Sequence, residues 1–158
     1  MHESETNPIR RLWDRVAHLP SGTWLFGVLV GRLAPYTGTI RPRVFELREG
    51  YARVAMNDRR AIRNHLDSIH AIALMNLGEF TTGIALMYGL PAHARAILTH
   101  LEIDYHKKAR GRLFAEASAP HVAATEREEL ELKSVIRDVT GEVVAEATAR
   151  WLVGPKTG

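Results

Sequence analysis

The apolar positions of this chain change period along its length, and each change marks a different kind of element. The longest apolar stretch runs from Ile69 to Met87 and is hydrophobic on nearly every side of a helix, which predicts a buried helix rather than a surface one. We read it as part of one helical segment over residues 64–91, where Asp67 and Ser68 are good N-cap types and Gly89 with Pro91 forms a stop signal. His70, Asn76 and Glu79 interrupt its apolar surface. A carboxylate among apolar neighbours is costly to bury unless it is paired or neutralised, so Glu79 is the first candidate for chemistry.

Ahead of this segment the spacing is helical. Asn7 as cap and Pro8 at the first helical position start a helix in which Ile9, Leu12, Trp13 and Val16 share a face up to Pro20. Ser21 caps a second predicted helix over residues 23–33, with Trp24, Leu25, Val28, Leu29 and Val30 inward, and Pro35 and Gly38 end it. These N-terminal helices, residues 7–34, are expected to cover the core. From Thr39 the period is two. Residues 40–48 predict a strand that Pro42 places at an edge or a bulge, and residues 51–57 complete a hairpin with Ala52, Val54 and Met56 on one face. After Pro91 the pattern is strand-like to the end. Ile97, Thr99, Leu101, Ile103 and Tyr105 alternate with His100, Glu102, Asp104 and His106. Residues 112–118 follow, then an inward row of Leu130, Leu132, Ser134 and Ile136, and another of Val143, Ala145, Ala147, Ala149 and Trp151. The alanines would let a helix approach closely. Residues 1–6 and 154–158 read as loose tails. The expected architecture is α+β, a single domain over residues 1–158 in which a curved antiparallel sheet wraps one long central helix.

Composition narrows the function classes. With 158 residues, 46% hydrophobic and 25% charged, the chain has the makeup of one globular domain with a sizeable core. It has no cysteine, which excludes disulfides and thiolate metal sites. A formal charge of +3 permits an anionic ligand without calling for nucleic acid, and no helix-turn-helix pattern or basic stripe with interleaved aromatics is present. The polar, acidic start lacks a signal-peptide pattern, and His70, Asn76 and Glu79 in the long helix argue against a membrane span, so we expect a cytoplasmic protein with no membrane partner. His100 and His106 stand too far apart on one strand to share a metal, roughly 20 Å at 3.3 Å per residue. No metal is expected.

Asn64, His70 and Glu79 carry a resemblance. In the frame Arg63-Asn64-His65-Leu66 … Ile69-His70-Ala71-Ile72-Ala73-Leu74, the histidine stands six positions after Asn64 and Glu79 nine positions after the histidine. This resembles the hot-dog superfamily, and within it the DUF4442 branch related to PaaI-like acyl-CoA thioesterases, whose motif is an Asn, a His-Gly-Gly six positions on, and an acid nine beyond that His. The resemblance extends over about residues 20–153. Here His-Gly-Gly is replaced by His70-Ala71-Ile72, which keeps the N–H groups but adds side chains where backbone must approach a ligand. That departure implies a site that is tighter, re-aimed or inactive.

The resemblance implies a thioesterase acting on an acyl-CoA or similar acyl thioester. Glu79 would be general base or nucleophile, its carboxyl raised by apolar surroundings. The backbone N–H groups of Ala71 and Ile72 would face the oxyanion at the helix start. Asn64 would orient water or the thioester carbonyl, and His70 would fix the helix start or polarise the carbonyl. Glu79 is nine residues beyond His70, roughly 13 Å at 1.5 Å per residue, so the two meet only if the site is assembled across a homodimer, alone or in a dimer of dimers. Arg59, Arg60 and Arg63, with Lys107, Lys108 and Arg110, are the basic candidates for the nucleotide end of coenzyme A, which enters as part of the substrate and not as a cofactor. Two other readings stay open. One is a non-catalytic acyl- or acyl-CoA-binding module. The other, resting on His65 fourteen positions before Glu79, is a hydroxyacyl dehydratase-like pair without that family's framing glycine and proline residues.

Overall fold

The structure, a computed structural model, describes residues 6–156; of the tails expected at residues 1–6 and 154–158, residues 1–5 and 157–158 lie outside the described residues. Asn7 caps α1 (Pro8–Val16), its side-chain oxygen accepting the Arg10 N–H at 2.9 Å. The same side chain donates to the Met87 and Leu90 carbonyls at 2.7 and 2.6 Å, so one residue ties the start of α1 to the end of the long helix. α2 (Gly22–Leu33) follows, then α3 (Pro35–Gly38), a single turn where the sequence predicts only a helix end. Ser21 does not cap α2 through its side chain; it sits at φ +61° and contributes its carbonyl, which accepts the Leu25 N–H. Trp24, expected inside, is 57% exposed. Phe26 packs edge-on against Trp13 with ring centroids 5.1 Å apart, and this contact, with Val30 one turn on, fixes the inward face of α2 and turns Trp24 out.

The six strands are β1 (Arg43–Arg48), β2 (Tyr51–Met56), β3 (Ala94–Tyr105), β4 (Leu113–Ser118), β5 (Glu128–Asp138) and β6 (Val143–Pro155). They form one antiparallel sheet in the order β1-β2-β4-β5-β6-β3. Pro42 lies just before β1, which is an edge strand with a bulge between Val44 and Glu46. β3 forms the other edge. Its alternation is broken where Leu98 pairs with Trp151 and His100 with Arg150, leaving Thr99 as an extra residue. Ala96 and Leu98 therefore pack inward before the bulge and Leu101 and Ile103 after it, while Ile97, expected on the same face as Leu101, is 48% exposed. The ends are held more firmly than expected. Thr6 bridges Pro91, Gly154 and Pro155 pair with Arg95 and Ala94, and the Lys156 N–H donates to the His93 carbonyl at 2.8 Å.

α4 (Ala71–Gly89) contacts all six strands, and the sheet curls round it in the hot-dog arrangement. By length and hydropathy alone it resembles a membrane span, yet most of it is buried within the fold. Leu77, Leu86 and Ile84 are among its buried side chains, each stabilising the fold by roughly 1.5–3 kcal/mol relative to exposure. Helix and sheet come close at Gly78, where a built Cβ would stand 2.5 Å from the Ala147 Cβ of β6. Small residues on both sides set this spacing, as the alanine row of β6 predicts. Residues 64–70 are not helical: they form a turn with Asp67 at φ +52°, and His70 rather than Asp67 or Ser68 is the N-cap.

Candidate functional site

The site begins where the chain turns into α4. Asn64 closes the turn: its side-chain oxygen accepts the Leu66 N–H at 2.9 Å, the Ser68 N–H at 3.3 Å and the Ser68 hydroxyl at 3.1 Å. Its carboxamide oxygen is thus engaged within the turn, and its amide group is what remains to meet a ligand. His70 extends its N–H to the Ile62 carbonyl at 2.8 Å, and its Nδ1 accepts the Ile72 N–H at 3.1 Å. Of the two backbone donors expected for an oxyanion, Ile72 is therefore engaged by its own chain. The Ala71 N–H makes no hydrogen bond among the described residues, and the helix start adds partial positive charge there.

A cleft of about 280 Å³ opens at this point. Asn64, Ser68 and Ala71 line one side, and Tyr105, Lys107 and Lys108 at the end of β3 line the other. The Tyr105 hydroxyl donates to the Ala71 carbonyl at 2.9 Å, and burial raises its phenol above the ordinary range. Neither Tyr105 nor Ser68 stands out in sequence: Tyr105 reads as one more inward strand residue and Ser68 as a helix cap.

Glu79 lies two turns along α4 and outside that cleft. With Ile72 and Met75 it occupies one helical face, at spacings of three and four, that the sheet leaves partly uncovered. Asn76, Thr81 and Thr82, the polar side chains beside Glu79 on the helix, bond away from its carboxylate. The Asn76 amide donates to the Tyr36 carbonyl at 3.1 Å, Thr81 to the Leu77 carbonyl at 2.7 Å, and Thr82 to the backbone carbonyl of Glu79 at 2.8 Å. The Glu79 carboxylate has no hydrogen-bond or ionic partner among the described residues, and burial pushes its carboxyl above the ordinary range.

The basic candidates divide into engaged and free. Arg63 pairs with Asp58 at 2.7 Å and holds that carboxyl below its usual range; the Gly111 N–H adds to this at 3.0 Å, tying the loop before α4 to the turn after β3. Arg110 donates to the Leu66 and Asp67 carbonyls at 3.3 Å, and Lys107 pairs with Asp138 and Glu142. Arg59 donates to the Thr39 carbonyl at 2.6 Å. Arg60 and Lys108 are exposed and have no partner among the described residues. His106 pairs with Glu146 at 2.8 Å, and no group of three His, Asp or Glu side chains among the described residues is arranged to hold a metal.

Known structures share this fold. A structural-genomics crystal structure described without an activity is 30% identical, with a TM-score of 0.78 over 94% of this chain and 99% of its own. A Pseudomonas aeruginosa protein of unknown function, described as a probable thioesterase, is 22% identical with a TM-score of 0.73, covering 87% of this chain and 97% of that one. A hypothetical thioesterase from Streptococcus pneumoniae, crystallised with coenzyme A, is 16% identical with a TM-score of 0.67, covering 83% and 99%. No curated protein matches the sequence. The family model described as a domain of unknown function, DUF4442, matches residues 22–153, and the chain belongs to that family.

Proposed function

We propose that this protein hydrolyses an acyl thioester, of the acyl-CoA type, at a site shared between two copies of the chain. The observation that carries the reading is Glu79: a mostly buried carboxylate on a partly uncovered helix face, without a hydrogen-bond or ionic partner among the described residues, while Asn76, Thr81 and Thr82 bond elsewhere. An unpaired buried acid with a raised carboxyl is costly to keep unless it is used. The coenzyme A held by the Streptococcus protein of the same fold supports the carrier, and Arg60 and Lys108 are the free cations for its phosphates.

In the reaction, ionised Glu79 takes a proton from water as the water oxygen bonds to the thioester carbon. The carbonyl oxygen becomes an oxyanion facing the Ala71 N–H of the second copy, with the Asn64 amide beside it. Collapse breaks the carbon–sulfur bond, and Glu79 returns the proton to the departing thiolate. The products are a carboxylic acid and a thiol. Direct attack by Glu79 would instead give an anhydride that water opens. The engaged Ile72 N–H favours a second reading, a binding module that holds an acyl thioester without cleaving it.

Hydrolysis of a panel of acyl-CoA thioesters by wild type and Glu79→Gln, with folding checked by circular dichroism, separates the two. Turnover by the wild type and its loss in a folded variant supports the enzyme. Saturable binding with no turnover of any ester leaves the binding module.

A further inference from the structure

A second concave surface lies outside this site. α2, α3 and the segment 39–42 enclose a groove of about 580 Å³, within the ~300–1,000 Å³ typical of small-molecule sites. Trp24 and Val28 of α2 form one wall, and Pro35 and Pro42 stand opposite. Its floor is backbone: a Cβ built on Gly31 would lie 2.9 Å from the Gly38 Cα, so the two segments touch with no side chain between them. Arg41 lines the groove in a left-handed conformation, φ +49°, that a non-glycine residue adopts only when its surroundings impose it. Beside it, Arg59 reaches the Thr39 carbonyl at 2.6 Å, while its Nε is buried without a hydrogen-bond partner. Burial and the nearby Arg41 charge both push the Arg59 guanidinium below its usual range. Neither arginine has a carboxylate partner among the described residues.

We infer that this groove binds a long-chain fatty carboxylate, the chain lying between Trp24, Val28 and the two prolines and the carboxylate meeting Arg41, with Arg59 behind Thr39 adding positive charge. An apolar slot with Arg41 on its lining and a second arginine without a carboxylate partner beside it lacks the one thing that would stabilise them, an apolar molecule with a planar anion at its end. Guanidinium matches a carboxylate in shape and charge. The concave glycine floor suits one chain rather than the flat face of a bilayer. This site is separate from Glu79 and stands whether or not the protein cleaves thioesters.

Trp24 reports on it directly, because Trp13 and Trp151 are buried. Octanoate, dodecanoate and hexadecanoate below their micellar concentrations should shift Trp24 fluorescence saturably, one molecule per chain. Affinity should rise about fourfold per methylene until the groove is full. Arg41→Ala should weaken dodecanoate about tenfold, the loss of one charge-assisted contact, and leave dodecanol unchanged. Val28→Phe should block both in a protein with wild-type circular dichroism, and Glu79→Gln should bind dodecanoate as wild type does. The proposal is overturned if dodecanol binds as tightly as dodecanoate, or if Arg41→Ala binds dodecanoate normally. It also fails if only phosphatidylglycerol vesicles give the signal, if the signal follows self-association, or if Glu79→Gln changes dodecanoate affinity, which would place the ligand in the thioester site.

Discussion

Glu79 is favoured as a neutral acid by its surroundings and needed as an anion by the proposed reaction, so pH should separate its two roles. Burial raises its carboxyl in the folded chain, and the shift vanishes on unfolding. As pH rises, the unfolded chain releases this proton first. Between the ordinary carboxylate range and the raised native value the folded state binds more protons, so stability is full below that window and falls as pH climbs through it. Glu79→Gln cannot ionise. The variant should therefore melt higher than wild type at neutral pH, and the gap should close as the pH is lowered to the ordinary carboxylate range. Activity should move the other way: wild-type kcat/KM rises with pH through one ionisation above the ordinary range, and Glu79→Gln loses ~10²-fold or more in kcat. A variant that melts lower than wild type at neutral pH would instead make Glu79 a structural partner.

At the scale of elements, α4 was legible from its apolar surface, but its first residue was not. Asp67 and Ser68 are the cap types a sequence offers, whereas the chain spends them on a turn closed by Asn64 and gives the cap to His70. The cap is made by the imidazole Nδ1, a role that residue type alone does not announce. His70→Ala should cost about 1 kcal/mol of stability, and His70→Asn should restore most of it in urea unfolding, because Asn caps by the same geometry. The β3 bulge was hidden for a similar reason: Ile97 and Thr99 continue one alternation and Leu98 and His100 another, so register depended on β6. The groove at α2 is not legible in sequence because Trp24 counts as core by type, and only the Trp13–Phe26 contact shows which way the helix faces. The alanine row of β6 is legible in sequence because close helix approach needs small side chains. Gly78→Ala tests it: the new methyl meets Ala147 at 2.5 Å, and overpacking of about 1–3 kcal/mol should exceed the ~1 kcal/mol gained in helix propensity. Net destabilisation in urea is expected, and partial recovery with Ala147→Gly added.

At the scale of the molecule, the two halves of the proposed site do not converge within one chain. The cleft holding Asn64 and Ala71 excludes Glu79, and roughly 13 Å of helix separates Glu79 from His70. β3 is a 12-residue edge strand with one side of its ladder unpaired, and Ile72 and Ile97 are 47% and 48% exposed. A two-fold pairing of copies would cover such an edge and place the Glu79 of one chain against the helix start of the other. Complementation measures this. Glu79→Gln and Asn64→Asp, which keeps the turn's acceptor oxygen but loses the amide beside the oxyanion, should each be inactive alone. When the two are co-expressed in equal amounts, half of the dimers are mixed, and each mixed dimer has one site with both residues intact, so about a quarter of wild-type activity should return. Sites confined to single chains would return none, since every site would still carry one lesion. Recovery near a quarter, from chains that sediment as dimers, would show that the unpaired carboxylate of one copy and the helix start of the next form one reacting centre.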